Sequence, residues 1–386
     1  MAFANAARAA EAAPSALDTT VRTLCDKRLV FVGEASHGDG RTEEIKAALV
    51  QRLVGECGFN AVFFESSFYE FLSVSRNARQ RRPVSAEAVA AAVGGVWKFD
   101  QEMQPLFGFL AAGVNEKLLS LGGLDFQVGG LGQPYSNEVL FAEMAVGLTS
   151  TRRTACLAVY HSRVYGSAPP DGMPAAERDA TLKRCLDNIA ADPQAAPGGT
   201  AAQADRMQAL KNMREWLDHI DGDAQSFSNS RDRMMADNLF WLIERHAETP
   251  AKVIVWTHNA HAARNAGVLS SSPGANNLGT IAARSFGSQM YALGVTACAG
   301  EFRWSRSANR ALPVPPAGSL EALSCAATPD SAVLVGASAL KAAGRTAAGL
   351  MLHVYQEADW SGAFDGVLVL DREHPPHSVT TLRTSP

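Results

Sequence analysis

The feature that most constrains this chain is where its ionisable residues fall: several short apolar runs each lead directly into an acid or a histidine. Residues 29–33 (LVFVG) are followed by Glu34 and His37, and residues 61–65 (AVFFE) close on Glu65. Residues 122–125 (GGLD) close on Asp125, and residues 253–256 (VIVW) run into Thr-His-Asn-Ala-His with His258 and His261. Short apolar runs bounded by Gly and polar residues are the signature of buried strands. Residues 290–297 and 367–370 (VLVL) add two more, and residues 43–56 carry Ile45, Leu49 and Leu53 at helical spacing. Strands alternating with helices predict an α/β fold, a central and mostly parallel sheet flanked by helices. All carboxyl ends of such strands lie at one edge, the edge where open α/β sheets bind ligands, so these distant residues are expected to share one cleft.

Residues 21–136 and 248–386 are read as the α/β core. The stretch 137–247 is different, being mostly amphipathic helix (201–218 and 231–245) interrupted by the Pro/Gly-rich 191–199. It is read as a helical insertion that caps the carboxyl edge of the sheet. Residues 305–318, with Pro313, Pro315 and Pro316, are expected to form a loop, and 372–386 a polar tail with little regular structure. Residues 1–20 are read as a leader or signal remnant, since Ala-x-Ala spacings occur there without an apolar h-region. That leaves two locations open, cytoplasmic or, with a signal remnant, periplasmic or secreted.

Composition excludes several classes. Lys+Arg 35 against Asp+Glu 39 gives a net charge of −4 without a clustered basic run, so no nucleic-acid partner is expected. Hydrophobic residues make up 47% and charged residues 19%, enough apolar material for a large core. No run approaches the ~20 apolar residues that span a bilayer, so no membrane partner is expected either. The cysteines at 25, 57, 156, 185, 298 and 325 form neither a CxxC pair nor a dense framework. They are read as buried thiols, with bridges left open for an oxidising compartment.

In Gly33-Glu34-Ala35-Ser36-His37-Gly38 an acid and a base stand three residues apart between glycines, as a tight turn presenting both to a cleft requires. His258 and His261, also three apart, are expected on one face of a helical turn, a spacing that suits proton transfer or metal binding. Taken singly, an acid that closes a strand is a helix cap or a loop hydrogen bonder; it is their coincidence that points to a site. An imidazole of ordinary pKa near ~6.5 with a carboxylate partner can take a proton from water, so His37 is the expected general base, oriented by Glu34 or Glu65. His258, His261 and Lys46 are candidates to stabilise a developing oxyanion. The chain has no GxSxG, HExxH, GxxxxGK[ST] or strand-linked GxGxxG motif. Ser36, adjacent to His37, is read as a loop hydrogen bonder, water as the nucleophile, and no cofactor or metal is called for. Trp97, Trp256 and Trp304 are read as core or cleft-wall aromatics.

As a series, GEASHG at 33–38, GFNAVFFE at 58–65, GGLDFQ at 122–127, RDRMMADN at 231–238 and VIVWTHNAH at 253–261 resemble the erythromycin esterase family, over residues 29–370. The resemblance implies a capped central sheet and water-mediated cleavage of an ester or macrolactone, hence a small-molecule substrate. On it, His37 is the base, Glu34 and Glu65 orient and polarise, and His258 and His261 bind substrate or stabilise charge. Lys46, Arg231 and Asp125 are then substrate-binding positions, and Asn238 a cleft-facing or helix-anchoring one; helical spacing in RDRMMADN also allows plain packing with one salt link. The family usually has Arg at the position of Lys46 and Glu at that of Arg41, differences that bear on substrate. Two other classes stay open. A metallohydrolase would use Glu34, His37, Glu65, His258 and His261 as ligands, a pattern that also resembles the Tiki and TraB type proteins. A ligand-binding protein would hold haem through His37 or His261.

Overall fold

The strands of the computed structural model are β1 (Leu29–Val32), β2 (Ala61–Ser67), β3 (Ser120–Asp125), β4 (Val253–Trp256), β5 (Met290–Ala297), β6 (Glu301–Arg303), β7 (Asn309–Ala311), β8 (Ala332–Gly336), β9 (Arg345–Met351), β10 (Val354–Asp359) and β11 (Gly366–Leu370). The structure describes residues 15–95, 97–129, 133–191, 199–245, 250–269, 275–304, 307–325 and 331–379. Seven strands form one sheet in the order β3-β2-β4-β1-β5-β11-β8. Every pairing in it is parallel except β11 with β8 at the edge. The fold is thus α/β with a mostly parallel central sheet.

β1 reads as an unbroken apolar run because both faces of the sheet are covered. Val30 and Val32 pack with Leu49, Val50 and Leu53 of the helix Gly40–Cys57. Leu29 and Phe31 face the other way, against Leu239, Leu242 and Leu278. The register aligns Val32 and Phe64 with Trp256, and Phe64 with Gly123, so β1 and β4 end level with one another while β2 and β3 run on past them to Ser67 and Asp125.

Between β3 and β4 the described chain is helical, including Ser150–Tyr165, Ala175–Ala190, Gly199–His219 and Ala224–Arg245. These helices enclose their own apolar cluster, with Phe141, Tyr160, Leu186, Met213 and Trp216 packed on Phe68 and Tyr69. Asn238 anchors the last helix to the sheet: its Nδ2 donates to Leu124 O at 2.8 Å while its Oδ1 accepts from Gln208 and Asn212. Of the expected break at 191–199, residues 192–198 lie outside the described residues, as do residues 1–14 of the expected leader. The helix Ala16–Leu24 begins within that leader span, closed by a capping box of Ser15 and Asp18.

Several elements depart from expectation. The six cysteines are paired as Cys25–Cys57, Cys156–Cys185 and Cys298–Cys325, each with its successor in the chain, and are not thiols. The first two bridges join neighbouring helices, and the third ties the end of β5 to the end of the helix Leu320–Ser324. The span 305–318 is not all loop, since β7 pairs antiparallel with β6 just before the prolines. β9 and β10 form a hairpin whose turn residues, Leu352 and His353, have φ of 53° and 56°. Such turns favour Asn and Gly, so this one carries no local signal. The tail has no helix or strand over its described residues, 372–379, as expected, and residues 380–386 lie outside the described residues; its start is nevertheless tied to the core. Glu373 is buried and caps the helix Gly40–Cys57 from a distance, accepting from Arg41 N at 2.6 Å, Thr42 N at 3.3 Å and Thr42 Oγ1 at 2.6 Å. Among the described residues, no helix is long and apolar enough to cross a membrane.

Candidate active site

The loop after β1 is held from three sides. Arg303 N donates to Gly38 O at 2.9 Å, and Leu352 N at the β9–β10 turn donates to Ala35 O at 2.9 Å. Asp39 accepts from Ser36 N at 2.8 Å and lies 2.9 Å from His353 Nε2. The glycines serve close approach here and not a left-handed backbone: a Cβ on Gly33 would overlap the Asn259 amide, and one on Gly38 would overlap Arg303 O.

From this loop, His37 Nδ1 meets Glu34 Oε1 at 2.6 Å. The other oxygen of Glu34 accepts from Lys46 Nζ at 2.6 Å. Lys46 is wholly buried, with its ammonium 4.1 Å from the centre of the Trp256 ring. Burial disfavours the Glu34 carboxylate, but Lys46 and His37 outweigh it and leave its pKa below the usual value. Lys46 is lowered by burial despite Glu34. His37 is also opposed by burial, yet the Glu34 bond and the charge of Glu65 raise its pKa above the ordinary value. Among the described residues no hydrogen bond engages His37 Nε2, which stands 3.8 Å from Glu65 Oε1. The His37 side chain is 21% exposed, so this nitrogen is within reach of solvent.

Glu65 lies inside β2 and not at its end; the ladder to β3 shifts between Phe64 and Ser67, where the carboxylate turns into the site. Its Oε2 accepts from Thr257 Oγ1 at 2.7 Å and His258 N at 2.8 Å. Its Oε1 accepts from Arg231 Nη2 at 2.8 Å and lies 3.3 Å from His261 Nε2. Arg231 Nε donates to Asp125 Oδ2 at 2.9 Å, so the helix Ala224–Arg245 delivers a guanidinium between two carboxylates of the sheet edge. His261 Nδ1 meets Asp232 Oδ1 at 2.7 Å. Burial opposes the imidazolium of His261, but Asp232 and Glu65 lift its pKa to about 10. Burial likewise opposes the Glu65 carboxylate, and His261 and Arg231 overcome it, holding the acid well below its usual range. Two cations, Arg231 and His261, therefore share Glu65.

His258 does not pair with His261 on one face as the spacing suggests. It is the N-cap of the single-turn helix Asn259–Ala262: Nδ1 accepts from Ala260 N at 3.0 Å and Nε2 donates to Ala35 O at 2.7 Å. Burial, with the nearby charge of His37, holds its pKa down to about 3, so it is neutral. Its ring locks the β4 end to the loop after β1, and it has no proton or charge to offer an oxyanion. The Glu/His set also fits a divalent ion poorly. An ion would have to displace Lys46 from Glu34 and Arg231 from Glu65, and would find both His258 nitrogens taken.

The expected residues Glu34, His37, Lys46, Glu65, Asp125, Arg231, His258 and His261 thus meet at one edge. Sequence reasoning missed Asp232 and Thr257, although each lies beside a chosen residue in a quoted motif. Two of the tryptophans read as core or cleft-wall aromatics, Trp97 and Trp304, wall the site around His37. Trp97, fully buried, meets the ring edge-on with centroids 5.0 Å apart. Trp304, 42% exposed, stacks at 6.3 Å.

The family whose profile is described as Erythromycin esterase matches residues 54–373, a span that begins after the loop carrying Glu34 and His37. A Bacillus subtilis (strain 168) protein named "Putative hydrolase YbfO" is 25% identical over 78% of this chain and 72% of its own length. A Bacillus cereus protein of known structure superposes with a TM-score of 0.69 at 16% identity, covering 93% of this chain and 92% of its own. A mutant of the erythromycin esterase EreC in its open conformation superposes with a TM-score of 0.61 at 17% identity, covering 93% and 94%. With more than half its length matched by that profile and its sheet shared with EreC, the chain belongs to the erythromycin esterase family and is, at that level, an esterase-like hydrolase.

Proposed function

We propose that this protein hydrolyses a carboxylic ester or lactone of a small molecule, with His37 activating the attacking water. The observation that carries this reading is the tautomer imposed on His37. The Glu34 carboxylate, 2.6 Å away, accepts a hydrogen bond from Nδ1–H and so keeps the ring proton on that nitrogen, which leaves the Nε2 lone pair facing the cleft. Nε2 accepts a proton as water adds to the carbonyl carbon, and the charge that develops on the carbonyl oxygen falls beside the cations Arg231 and His261. As the intermediate collapses, the C–O bond to the leaving group breaks and His37 returns the proton to the departing alkoxide. Lys46 balances Glu34, so the carboxylate that orients His37 stays charged while buried. Arg231 comes from the helical stretch between β3 and β4, which supports reading 137–247 as a cap that closes on substrate. The departures at Lys46 and Arg41 keep simple lactones beside macrolactones in the substrate class. Three disulfides support the exported alternative for location, since such bridges persist in oxidising compartments.

The test is to incubate wild-type and His37→Ala proteins with a panel of macrolides, simpler lactones and linear esters, and to follow the gain of one water by mass spectrometry. Loss of the general base is expected to slow turnover by ~10² to 10⁴-fold. A folded His37→Ala protein with undiminished turnover would remove His37 from the chemistry.

A further inference from the structure

Outside the active site, Glu102, His374 and His377 place one ligating atom each within 4.8 Å of one another. We propose that these three residues bind a divalent transition-metal ion of the Zn²⁺ class, as a staple between the carboxyl segment and the short turn Gln101–Met103. One carboxylate and two imidazoles are the borderline donor set such ions prefer, with water completing a tetrahedron. His377 Nδ1 already meets Glu102 Oε1 at 2.6 Å, and His374 Nδ1 lies 4.0 Å from the same oxygen. The two imidazole centroids are 5.2 Å apart. An ion would take the place of the hydrogen bond between His377 Nδ1 and Glu102 Oε1, with the ring proton carried on Nε2.

The ligands are positioned by backbone bonds that do not depend on the metal. Gln101 N donates to His377 O, Val379 N to Phe99 O and Gly40 N to His374 O, each at 2.7 Å. Glu102 is itself buried and accepts from His377 N at 3.0 Å, so little ordering remains to oppose binding. An independent observation is the local surplus of carboxylates. Glu43, on the adjoining helix Gly40–Cys57, is buried with neither carboxyl oxygen hydrogen-bonded. Burial, and then the charges of Asp100, Glu34 and Glu102, push its pKa far up. A dication at Glu102 would add a positive charge to this carboxyl-rich region. The stapled turn adjoins Trp97, which packs on His37, so the metal stiffens one wall of the site without entering it.

The experiment uses untagged full-length protein freed of metal by chelator. Zn²⁺ is titrated by calorimetry, bound metal is counted by elemental analysis, Tm is read with and without Zn²⁺, and Co²⁺ serves as an absorbance probe. About one equivalent is expected, with a visible Co²⁺ band of a low-coordinate N/O site and a raised Tm. The His374→Ala/His377→Ala variant should lose at least ~10-fold in affinity together with the Tm gain, while His37→Ala keeps both. His377 is 67% exposed, so the variant is expected to fold, which circular dichroism checks. The proposal is overturned if the wild type takes up no Zn²⁺, if the double variant binds equally well, or if uptake is lost in His37→Ala instead.

Discussion

Arg231 and Glu65, separated by 166 positions in the chain, meet at 2.8 Å with Glu65 only 2% exposed. The pair ties the helix Ala224–Arg245 to β2, and both members face other charges, Asp125 on one side and His261 on the other. Charge balance at this edge therefore depends on the helical stretch staying docked.

Removing the guanidinium should be costly. Arg231→Ala leaves Glu65 and Asp125 charged and out of water, a loss of about 3–5 kcal/mol for a broken buried pair. Urea denaturation of the variant measures it, and adding Glu65→Gln should return part of the loss. A change below ~1 kcal/mol would place the pair in the class of exposed salt bridges.

The pH dependence of turnover follows from His37. A general base must be neutral, and His37 has a pKa raised above the ordinary 6.5, so kcat/KM should climb with pH along a limb displaced above that value. Glu34→Gln removes the strongest raising interaction and should move the limb downward. A wild-type limb at or below 6.5 contradicts the assignment of His37 as base.

His258 titrates in the opposite sense. Its folded pKa is depressed to about 3 from 6.5, so its stabilising contribution is complete above the unfolded value and is lost as pH falls from there toward 3. Relative to a non-titrating His258→Gln protein, the wild type should therefore lose about 2 kcal/mol of its advantage between pH ~8 and ~5. Paired denaturation curves at the two pH values decide this, and a constant difference would mean that His258 titrates in the fold as it does in the unfolded chain.

The disulfides make a chemical prediction. Thiol titration of the denatured, unreduced protein should find none of the cysteines free, and all six after reduction. Each bridge closes a loop of 27 to 32 residues and should contribute about 3 kcal/mol, so Tm should fall on reduction. Free thiols before reduction would show that the pairing is incomplete.

Much of the site was legible locally. Glu34, His37, Glu65, Asp125, His258 and His261 each follow or close an apolar run, and that run is apolar because a strand covered on both faces must be. The α/β class and the six main parallel strands follow from the same local pattern. What each side chain does was not legible. His258 and His261 share a spacing, yet one is a neutral cap and the other a cation, because burial and the nearby charge of His37 act on the first while Asp232 and Glu65 face the second. The turn at Leu352 and His353, the capping of the first sheet-flanking helix by Glu373, and the pairing of the cysteines carry no nearby marker at all. Sequence by itself determined which residues stand at the carboxyl edge, since strand and helix periodicity depend on neighbours along the chain. Only the tertiary structure decided their partners and hence their charge states, since pairing over a few ångströms and the desolvation that gives it force arise from sheet register and helix docking across more than a hundred residues.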